Sequence, residues 1–374
     1  MTKEREIIKL TKCWVIKIGS ALITDNGCGL KHDNLDSWVN QISILNERGI
    51  NIVIVSSGAV AEGLTRLGWE NRPNVIHKLQ AAAAVGQMGL IQAYQTCFQK
   101  YKKQTAQVLL THDDIINRTR YLNARTSLNT LLKLGVVPIV NENDTVATDE
   151  IRFGDNDTLA GLVANLIDAE LLVLLTDQKG LYTSDPREDN AAKLIEQAEA
   201  GDESLKQYAG ESSGYGRGGM HTKLKAASIA SRSNTQTVIA SGNETSILLK
   251  IADSKKVGTL LTTSKETLQA KKQWLANQSY LKGTVIIDNG AVSAIIKSGK
   301  SLLPIGVKSI AGEFKRGEII SCVDQDGKEI SRGLSNYDSV KARLIIGKSS
   351  EEIEKILDCK DEDELIHRDN MLLI

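Results

Sequence analysis

The chain reads WVIKIGS over Trp14–Ser20, an apolar run with a lysine near its carboxyl end. Such a run predicts a buried strand, and a buried ammonium group without a partner costs several kcal/mol or shifts its pKa. Lys17 therefore needs an anion. A second lysine, Lys223, ends a glycine-rich stretch far along the chain. We interpret both lysines as placed to bind phosphate.

Further apolar runs of similar length recur along the first 240 residues: Ile50–Val55, Ala106–Leu110, Val136–Val140, Leu171–Leu175 and Thr237–Ala240. They are continuous rather than alternating, which is typical of strands buried on both faces. Between them, patterns such as Leu35–Leu45 and Leu159–Ile167 follow the helical period. The alternation predicts an α/β fold with a mainly parallel sheet sandwiched by helices, whose ligands gather at the carboxyl ends of the strands.

The pattern changes after about Leu261. A charged connector leads to short predicted strands at Gly283–Asp288, Ser301–Val307, Glu318–Asp324 and Lys328–Gly333, the last two joined by a hairpin turn at Asp326 and Gly327. We predict a large α/β domain over residues 1–265, a linker over 266–280, a small β-rich domain over 281–360 and an acidic tail over 361–374.

Composition excludes several classes of protein. The sequence has 46 Lys and Arg against 46 Asp and Glu, so net charge does not indicate a binder of polyanions. No apolar run approaches the about 20 residues that span a bilayer, and the first residues lack a secretory pattern. We therefore expect a cytoplasmic protein that does not enter the membrane. The five cysteines are scattered without metal-ligand spacing and are interpreted as free thiols.

Two predicted strands are followed by candidate substrate-binding residues. Small residues at Ser56–Ala59 allow backbone N–H groups to open a helix toward an anion, although a simple serine cap explains them equally well. The clusters Asn141–Asp144 and Gly154–Asp157 suit recognition of an α-amino group, with Mg²⁺ or a lysine as a further partner. Helix capping is the alternative for these clusters.

Two later segments suit a nucleotide. The polar loop that begins at Thr176 and Asp177 could hold a base and ribose, but loops of this kind are common. The stretch Gly214–Lys223 is more specific, because closely spaced glycines before a helix let the backbone approach phosphates. A flexible surface loop remains the alternative there. We interpret His221 as incidental.

Together, the lysine strand, SSGA, NENDTVAT, GDND, LLTDQKGLYTSDPR and GGMHTK resemble the amino acid kinase family, followed by a segment similar to a PUA domain. Within that family, the order of these motifs resembles the members that phosphorylate the γ-carboxylate of L-glutamate at the first step of proline biosynthesis. The fold alone would also admit kinases of aspartate, acetylglutamate, carbamate and uridylate.

The resemblance implies roles for individual residues. Lys17 and Lys223 would contact the ATP phosphates, with Asp157 orienting both. Ser57, Asp144 and Asn156 would bind glutamate. The nucleotide would contact two segments: Thr176 and Asp177, and Arg217, Gly218, Gly219, Met220, His221, Thr222 and Lys223. Arg217 and Ala21 depart from the family pattern, which expects a small hydroxyl residue and a serine at these positions.

The resemblance also implies partners: ATP and Mg²⁺ as cofactors, feedback inhibition by proline, and a homo-oligomer, either a dimer or a tetramer. The metal ligands are not implied. Two other functions remain open. One is phosphorylation of another amino acid or a carbamate. The other is RNA contact by the terminal domain, where residues 281–350 carry 11 Lys and Arg against 7 Asp and Glu. The absence of a dense basic patch or of obvious stacking aromatics disfavours the RNA alternative.

Overall fold

The computed structural model describes residues 3–25, 29–147, 156–209, 219–263, 281–357 and 362–374. The chain groups into two compact units, one comprising Met1–Ile115 and Ala124–Leu268, the other Ile116–Asn123 and Gln269–Ile374. The domain boundaries predicted at 265, 280 and 360 lie outside the described residues, so they stay predictions. Within the described residues, no helix combines the length and the apolar character needed to cross a bilayer.

An eight-stranded sheet forms the centre of the first unit, in the order β3-β4-β2-β1-β5-β7-β8-β6. All neighbours from β3 to β7 pair in parallel, β8 is antiparallel to β7, and β6 is parallel to β8. The predicted fold class is confirmed. The strands are β1 Cys13–Ile18, β2 Asn51–Val55, β3 Thr105–Leu110, β4 Val137–Glu142, β5 Leu171–Thr176, β6 Gln197–Glu199, β7 Gln236–Ser241 and β8 Thr259–Thr262.

Helices connect these strands, as the helical periods predicted. Between Lys3 and Ala252 they are α1 Lys3–Ile7, α2 Ser20–Ile23, α3 His32–Glu47, α4 Ala59–Arg66, α5 Ile76–Gln99, α6 His112–Ile116, α7 Arg118–Lys133, α8 Asn156–Leu166, α9 Met220–Ser231 and α10 Ile247–Ala252.

Burial follows position in the sheet. Every residue of the central strand β5 is buried, and Trp14 on β1 and Trp38 of α3 both belong to the main core. The expectation that all the apolar runs are buried on both faces is wrong for β3, which alternates between partly exposed and exposed residues before Leu110. The reason is topological: among the described strands, β3 lies at the edge of the sheet and pairs with β4 alone.

The register of the sheet aligns the carboxyl ends of four strands. Lys17 lies opposite Val55 on β2 and Leu174 on β5. Val55 in turn lies opposite Val140 on β4, and the backbone N–H of Ser56 donates to the Val140 carbonyl at 2.9 Å. The residues that follow these strands therefore meet at one edge of the sheet, where the sequence places the candidate polar side chains.

A separate five-stranded sheet forms the second unit, in the order β10-β9-β11-β12-β13. Only the β9–β11 pair is parallel. The elements are β9 Gly283–Ile287, α11 Asn289–Ser298, β10 Val307–Gly312, β11 Ile319–Val323, β12 Glu329–Leu334, α12 Ser339–Ile345, α13 Ser350–Leu357 and β13 Met371–Leu373.

Three of the four strands predicted in this unit are confirmed, and so is the hairpin turn, where Gly327 adopts φ +81°. The strand predicted over Ser301–Val307 is wrong. Pro304–Gly306 form a 3₁₀ turn, and the strand begins where that turn ends, at Val307. Proline lacks the N–H that a strand ladder needs and fixes a φ that suits the start of a turn.

Candidate active site

One carboxylate joins the two lysines that the sequence singled out. The Lys17 ammonium lies 2.6 Å from Oδ1 of Asp157, and the Lys223 ammonium lies 3.1 Å from Oδ2 of the same side chain. All three residues are buried, and Asp157 is wholly inaccessible. Two cations and one anion leave this buried cluster with a net charge of +1.

Three elements bring this cluster together. Lys17 lies near the end of β1, Asp157 in the first turn of α8, and Lys223 in the first turn of α9. A carboxylate at a helix amino terminus is favoured by the helix dipole, whereas a cation there is not. A buried Lys17 needs an anion, and the chain itself supplies one in Asp157, which Lys223 shares.

Hydrogen bonding adds to the charge pairing. The Thr222 hydroxyl donates to Oδ2 of Asp157 at 2.7 Å. Burial by itself would raise the pKa of Asp157, but attraction to Lys17 and then Lys223, with these hydrogen bonds, holds the pKa of the carboxyl well below its usual range. Asp157 is therefore ionised throughout the physiological pH range.

A close helix crossing sets the distance between Asp157 and Lys223. Gly161 lies one turn after Asp157 on α8, and Ala226 lies about one turn after Lys223 on α9. A β-carbon built on Gly161 would lie only 2.6 Å from the Ala226 carbonyl oxygen. The helices touch at backbone distance, which only glycine permits here.

A network of buried amides lies at the ends of β2 and β4. Asn156 is wholly buried beside Asp157, and the two N–H groups of its amide Nδ2 are shared among three acceptors: the Ser56 carbonyl at 2.8 Å, Oδ1 of Asn141 at 2.8 Å and the Ser57 hydroxyl at 3.1 Å. Asn141 Nδ2 donates in turn to Oε1 of Gln87 at 2.7 Å. The network thus extends from α8 across the strand ends to α5.

Asp144 belongs to the turn after β4. The backbone N–H of Asn143 donates to the Leu110 carbonyl, and the N–H groups of Val146 and Ala147 donate to the Asn143 carbonyl. This turn holds Asp144 in a buried position with 4% of its surface exposed, while Val146 is 68% exposed. Asp144 is thus an enclosed carboxylate close in sequence to Asn141 of the amide network, and such a group is suited to a cationic partner.

Sequence comparison agrees with the architecture. The family model described as "Amino acid kinase family" matches residues 12–241, and the model described as "PUA domain" matches residues 283–357. Glutamate 5-kinase of Nitrosospira multiformis is 55% identical over 98% of this chain and 99% of its own length, and that of Thioalkalivibrio sulfidiphilus is 55% identical over 100% of both. The chain belongs to the glutamate 5-kinases of the amino acid kinase family.

Among solved structures, UMP kinase of Bacillus anthracis aligns with a TM-score of 0.46 and 18% identity, covering 67% of this chain and 96% of that one. The family resemblance drawn from the motifs is confirmed by the family models and by the relatives that are 55% identical. The roles of individual residues stay predictions.

The predicted nucleotide residues of this amino acid kinase divide into three groups. Thr176 ends β5, where its hydroxyl donates to Asp177 Oδ1 at 3.0 Å and its carbonyl accepts from the Gly242 N–H. Gly219 is the N-cap of α9 and is followed by partly buried Met220, exposed His221, partly buried Thr222 and buried Lys223. Arg217 and Gly218 lie outside the described residues, as do Gly154 and Asp155.

Helix α5, which supports the amide network of this kinase, was not expected from the sequence. Along α5, Gln80 donates to the Thr145 carbonyl at 3.2 Å, Gln87 accepts from Asn141, and the Tyr94 hydroxyl lies 3.0 Å from the Ser56 hydroxyl. These three residues are spaced by seven, which is two helical turns, so they share one face of the helix. That polar stripe on an alanine-rich helix was the available signal.

Among the described side chains, no group of three or more His, Cys, Asp or Glu comes together in a way that could hold a metal ion. The described cysteines Cys13, Cys97 and Cys322 are free thiols, in agreement with the sequence analysis. Burial raises the pKa of each of these thiols to about 12, with nearby carboxylates contributing. They are therefore packing residues.

Proposed function

We propose that the chain transfers the γ-phosphoryl group of ATP to the γ-carboxylate of L-glutamate, forming L-glutamyl 5-phosphate at the first step of proline biosynthesis. The names of relatives that are 55% identical over the whole chain support this reaction. The observation that carries the proposal is the bridge from Lys17 through Asp157 to Lys223, adjacent to a buried amide network that suits an amino acid.

The two lysines would act on the phosphates. Because Lys17 and Lys223 are both about 95% buried, their charges are weakly screened and act strongly on an anion brought between them. Asp157 holds both ammonium groups at fixed positions, so little reorganisation is needed as charge develops on the transferring group. We assign Lys17 and Lys223 to the stabilisation of that charge, and Asp157 to the positioning of both lysines.

The acceptor needs no general base. A side-chain carboxyl with a reference pKa of about 4.3 is already ionised near neutral pH. The difficulty is to bring one anion against another, and phosphoryl transfer depends mainly on positioning and on neutralising charge. The buried positive cluster at the strand ends neutralises the charge. The strand and helices that carry this cluster hold its groups in position.

The amino acid would lie against Ser57, Asp144 and Asn156. Asp144 is a buried carboxylate suited to an ammonium group, and the Ser57 hydroxyl accepts from Asn156, which leaves its O–H to donate to a carboxylate. The nucleotide would follow the end of β5 at Thr176 and Asp177 and the segment Arg217–Lys223.

Mg²⁺ is the metal we propose to accompany ATP. Magnesium in kinase sites takes many of its ligands from phosphates and water, with one or two carboxylates from the protein. A site built around lysines, with no cluster of three acidic or imidazole side chains among the described residues, fits a metal that arrives with the nucleotide. When bound, Mg²⁺ would neutralise charge on the phosphates.

Feedback inhibition by proline and assembly as a homodimer or homotetramer are proposed from the family resemblance. A cytoplasmic location and domain limits at 1–265, 266–280, 281–360 and 361–374 are proposed from the sequence pattern. RNA contact by the PUA domain is the lesser alternative, and a salt-dependent gel shift with tRNA tests it.

The proposed reaction is tested by measuring ADP release from ATP and Mg²⁺ with and without glutamate, and by trapping the acyl phosphate with hydroxylamine. Hydroxamate should form with glutamate and exceed that formed with aspartate or carbamate. Proline added to the same assay should lower the rate. A higher rate with another acceptor would replace glutamate as the substrate while leaving the kinase reaction intact.

A further inference from the structure

The amide network has a fixed direction. Oε1 of Gln87 accepts from Nδ2 of Asn141, so Asn141 must present Oδ1 to Asn156. Nδ2 of Asn156 donates to this Oδ1 and also lies within hydrogen-bonding distance of the Ser56 carbonyl and the Ser57 hydroxyl. Each amide is thereby held in one of its two orientations, because a flipped amide would oppose donor to donor or acceptor to acceptor.

Within the part of the chain that the structure describes, two fully buried atoms of this network have no hydrogen-bond partner: the donor Nε2 of Gln87 and the acceptor Oδ1 of Asn156. Gln87 as a whole is 8% exposed and Asn156 is wholly buried. A buried polar atom with no partner is costly and calls for an explanation, of which a bound ligand is one. One atom here requires an acceptor and the other a donor.

The head group of an α-amino acid satisfies both requirements at once. Its carboxylate accepts, and its ammonium donates. We propose that Gln87 is a specificity-determining residue of the substrate site: Nε2 donates to the α-carboxylate of the amino acid, while Oε1, acting through Asn141 and together with the Ser56 carbonyl, keeps Oδ1 of Asn156 turned toward the α-ammonium. This inference rests on the proposed function and adds a residue from α5 to it.

Two substrate analogues test the α-carboxylate and the α-ammonium of glutamate one at a time. 4-Aminobutyrate keeps the reacting carboxylate and the amine but lacks the α-carboxylate. Glutarate lacks the ammonium. The wild-type protein should prefer glutamate to both, measured as kcat/KM for hydroxamate formation. A hydrogen bond between the protein and an ionised group of a ligand typically increases the binding affinity about tenfold or more.

Two substitutions at Gln87 then give different patterns. Gln87→Glu keeps the oxygen that accepts from Asn141 but replaces the donor Nε2 by a second oxygen. The preference for glutamate over 4-aminobutyrate should fall about tenfold or more, because a donor to the α-carboxylate is lost. The preference over glutarate should stay within about twofold. Gln87→Met removes both functions, so both preferences should fall.

The control is Gln92→Met, the same chemical change at an exposed position of the same helix. It should leave both preferences and the KM for ATP unchanged. Retention of the glutamate preference over 4-aminobutyrate in Gln87→Glu would overturn the inference, and that variant decides the matter even if Gln87→Met does not fold. A wild-type protein that forms no glutamyl hydroxamate would instead overturn the proposed function.

Discussion

Gly161 of α8 lies in backbone contact with Ala226 of α9, and this contact fixes the separation of the two helix starts that carry Asp157 and Lys223. A β-carbon on Gly161 would stand 2.6 Å from the carbonyl oxygen and 3.2 Å from the α-carbon of Ala226. Neither atom can move without moving its helix. The glycine is therefore a structural requirement of the ion-pair cluster, although it touches none of its charges.

We expect Gly161→Ala to push α8 and α9 apart and to lengthen the 3.1 Å contact between Asp157 and Lys223. Overpacking of this kind costs about 1–3 kcal/mol in the free energy of unfolding. Turnover should fall more than the KM for glutamate rises, since the amide network does not include Lys223. Urea unfolding and steady-state kinetics measure the two effects. A variant with normal stability and turnover would contradict the helix-contact argument.

The ionised Asp157 should make stability depend on pH. Its pKa in the folded protein is lower than in the unfolded chain, where the reference value is about 3.9. A depressed pKa contributes stability that is fully present above the unfolded value and is lost as the pH falls toward the folded value. The wild-type protein should therefore lose stability in acid partly through this group.

Asp157→Asn isolates that contribution, because it keeps the shape and removes the charge. Near pH 7 the variant should be less stable by about 3–5 kcal/mol, since two buried lysines lose their carboxylate. The difference in unfolding free energy from the wild type should shrink below about pH 4. Urea midpoints measured from pH 7 to pH 3 check this. A difference that stays constant down to pH 3 would count against an ionised Asp157.

Much of this site could be predicted from the sequence because it sits where strands end. The apolar runs located β1, β2, β4 and β5, and parallel pairing then required their carboxyl ends to meet. The sequence could not identify Asp157 from spacing alone as the shared partner of Lys17 and Lys223. Residues 17, 157 and 223 are brought together only by the strand order and by a helix crossing at Gly161.

The contribution of α5 was missed for a related reason. Periodicity identifies which face of a helix is buried, but it does not say what that face contacts. Gln87 and Tyr94 lie on the buried side of α5 among alanines and leucines, where a polar residue is easily taken for a packing residue. Their partners, Asn141 and Ser56, follow different strands. Only the assembled sheet brings them within hydrogen-bonding distance.

Replacing either lysine by methionine should depress turnover while glutamate binding is largely kept. Lys17→Met or Lys223→Met removes a fixed positive charge from the place where charge develops, and the loss of one such group costs about 10²–10³ in kcat. The KM for glutamate should change by less than about threefold, because that substrate is assigned to the amide network. Near-normal kcat in either variant would contradict the assigned role.

The matched control for Lys223 is Lys225→Met. Lys225 lies on the same helix two residues later, where its side chain is exposed, whereas Lys223 is buried against Asp157. The two substitutions remove the same charge from α9 and change the helix propensity equally. If the control lowered kcat as much as Lys223→Met, then overall charge, and not the position beside Asp157, would determine the rate.

Asp144→Asn should produce the opposite kinetic pattern. Asp144 is buried in the turn after β4, close in sequence to Asn141 of the amide network, and a carboxylate there would hold the substrate ammonium before and during reaction. Removing an interaction made equally in both states raises KM and leaves kcat nearly unchanged. We expect the KM for glutamate to rise about tenfold or more, which corresponds to one charged hydrogen bond.

Val146→Ala is the control for Asp144, because Val146 lies in the same turn with 68% of its surface exposed. It tests whether any change in this turn alters substrate binding. The KM for ATP, measured in parallel, should stay constant in both variants, since the nucleotide is assigned to β5 and α9. A fall in kcat without a rise in the KM for glutamate would move Asp144 from substrate recognition to the phosphoryl-transfer step.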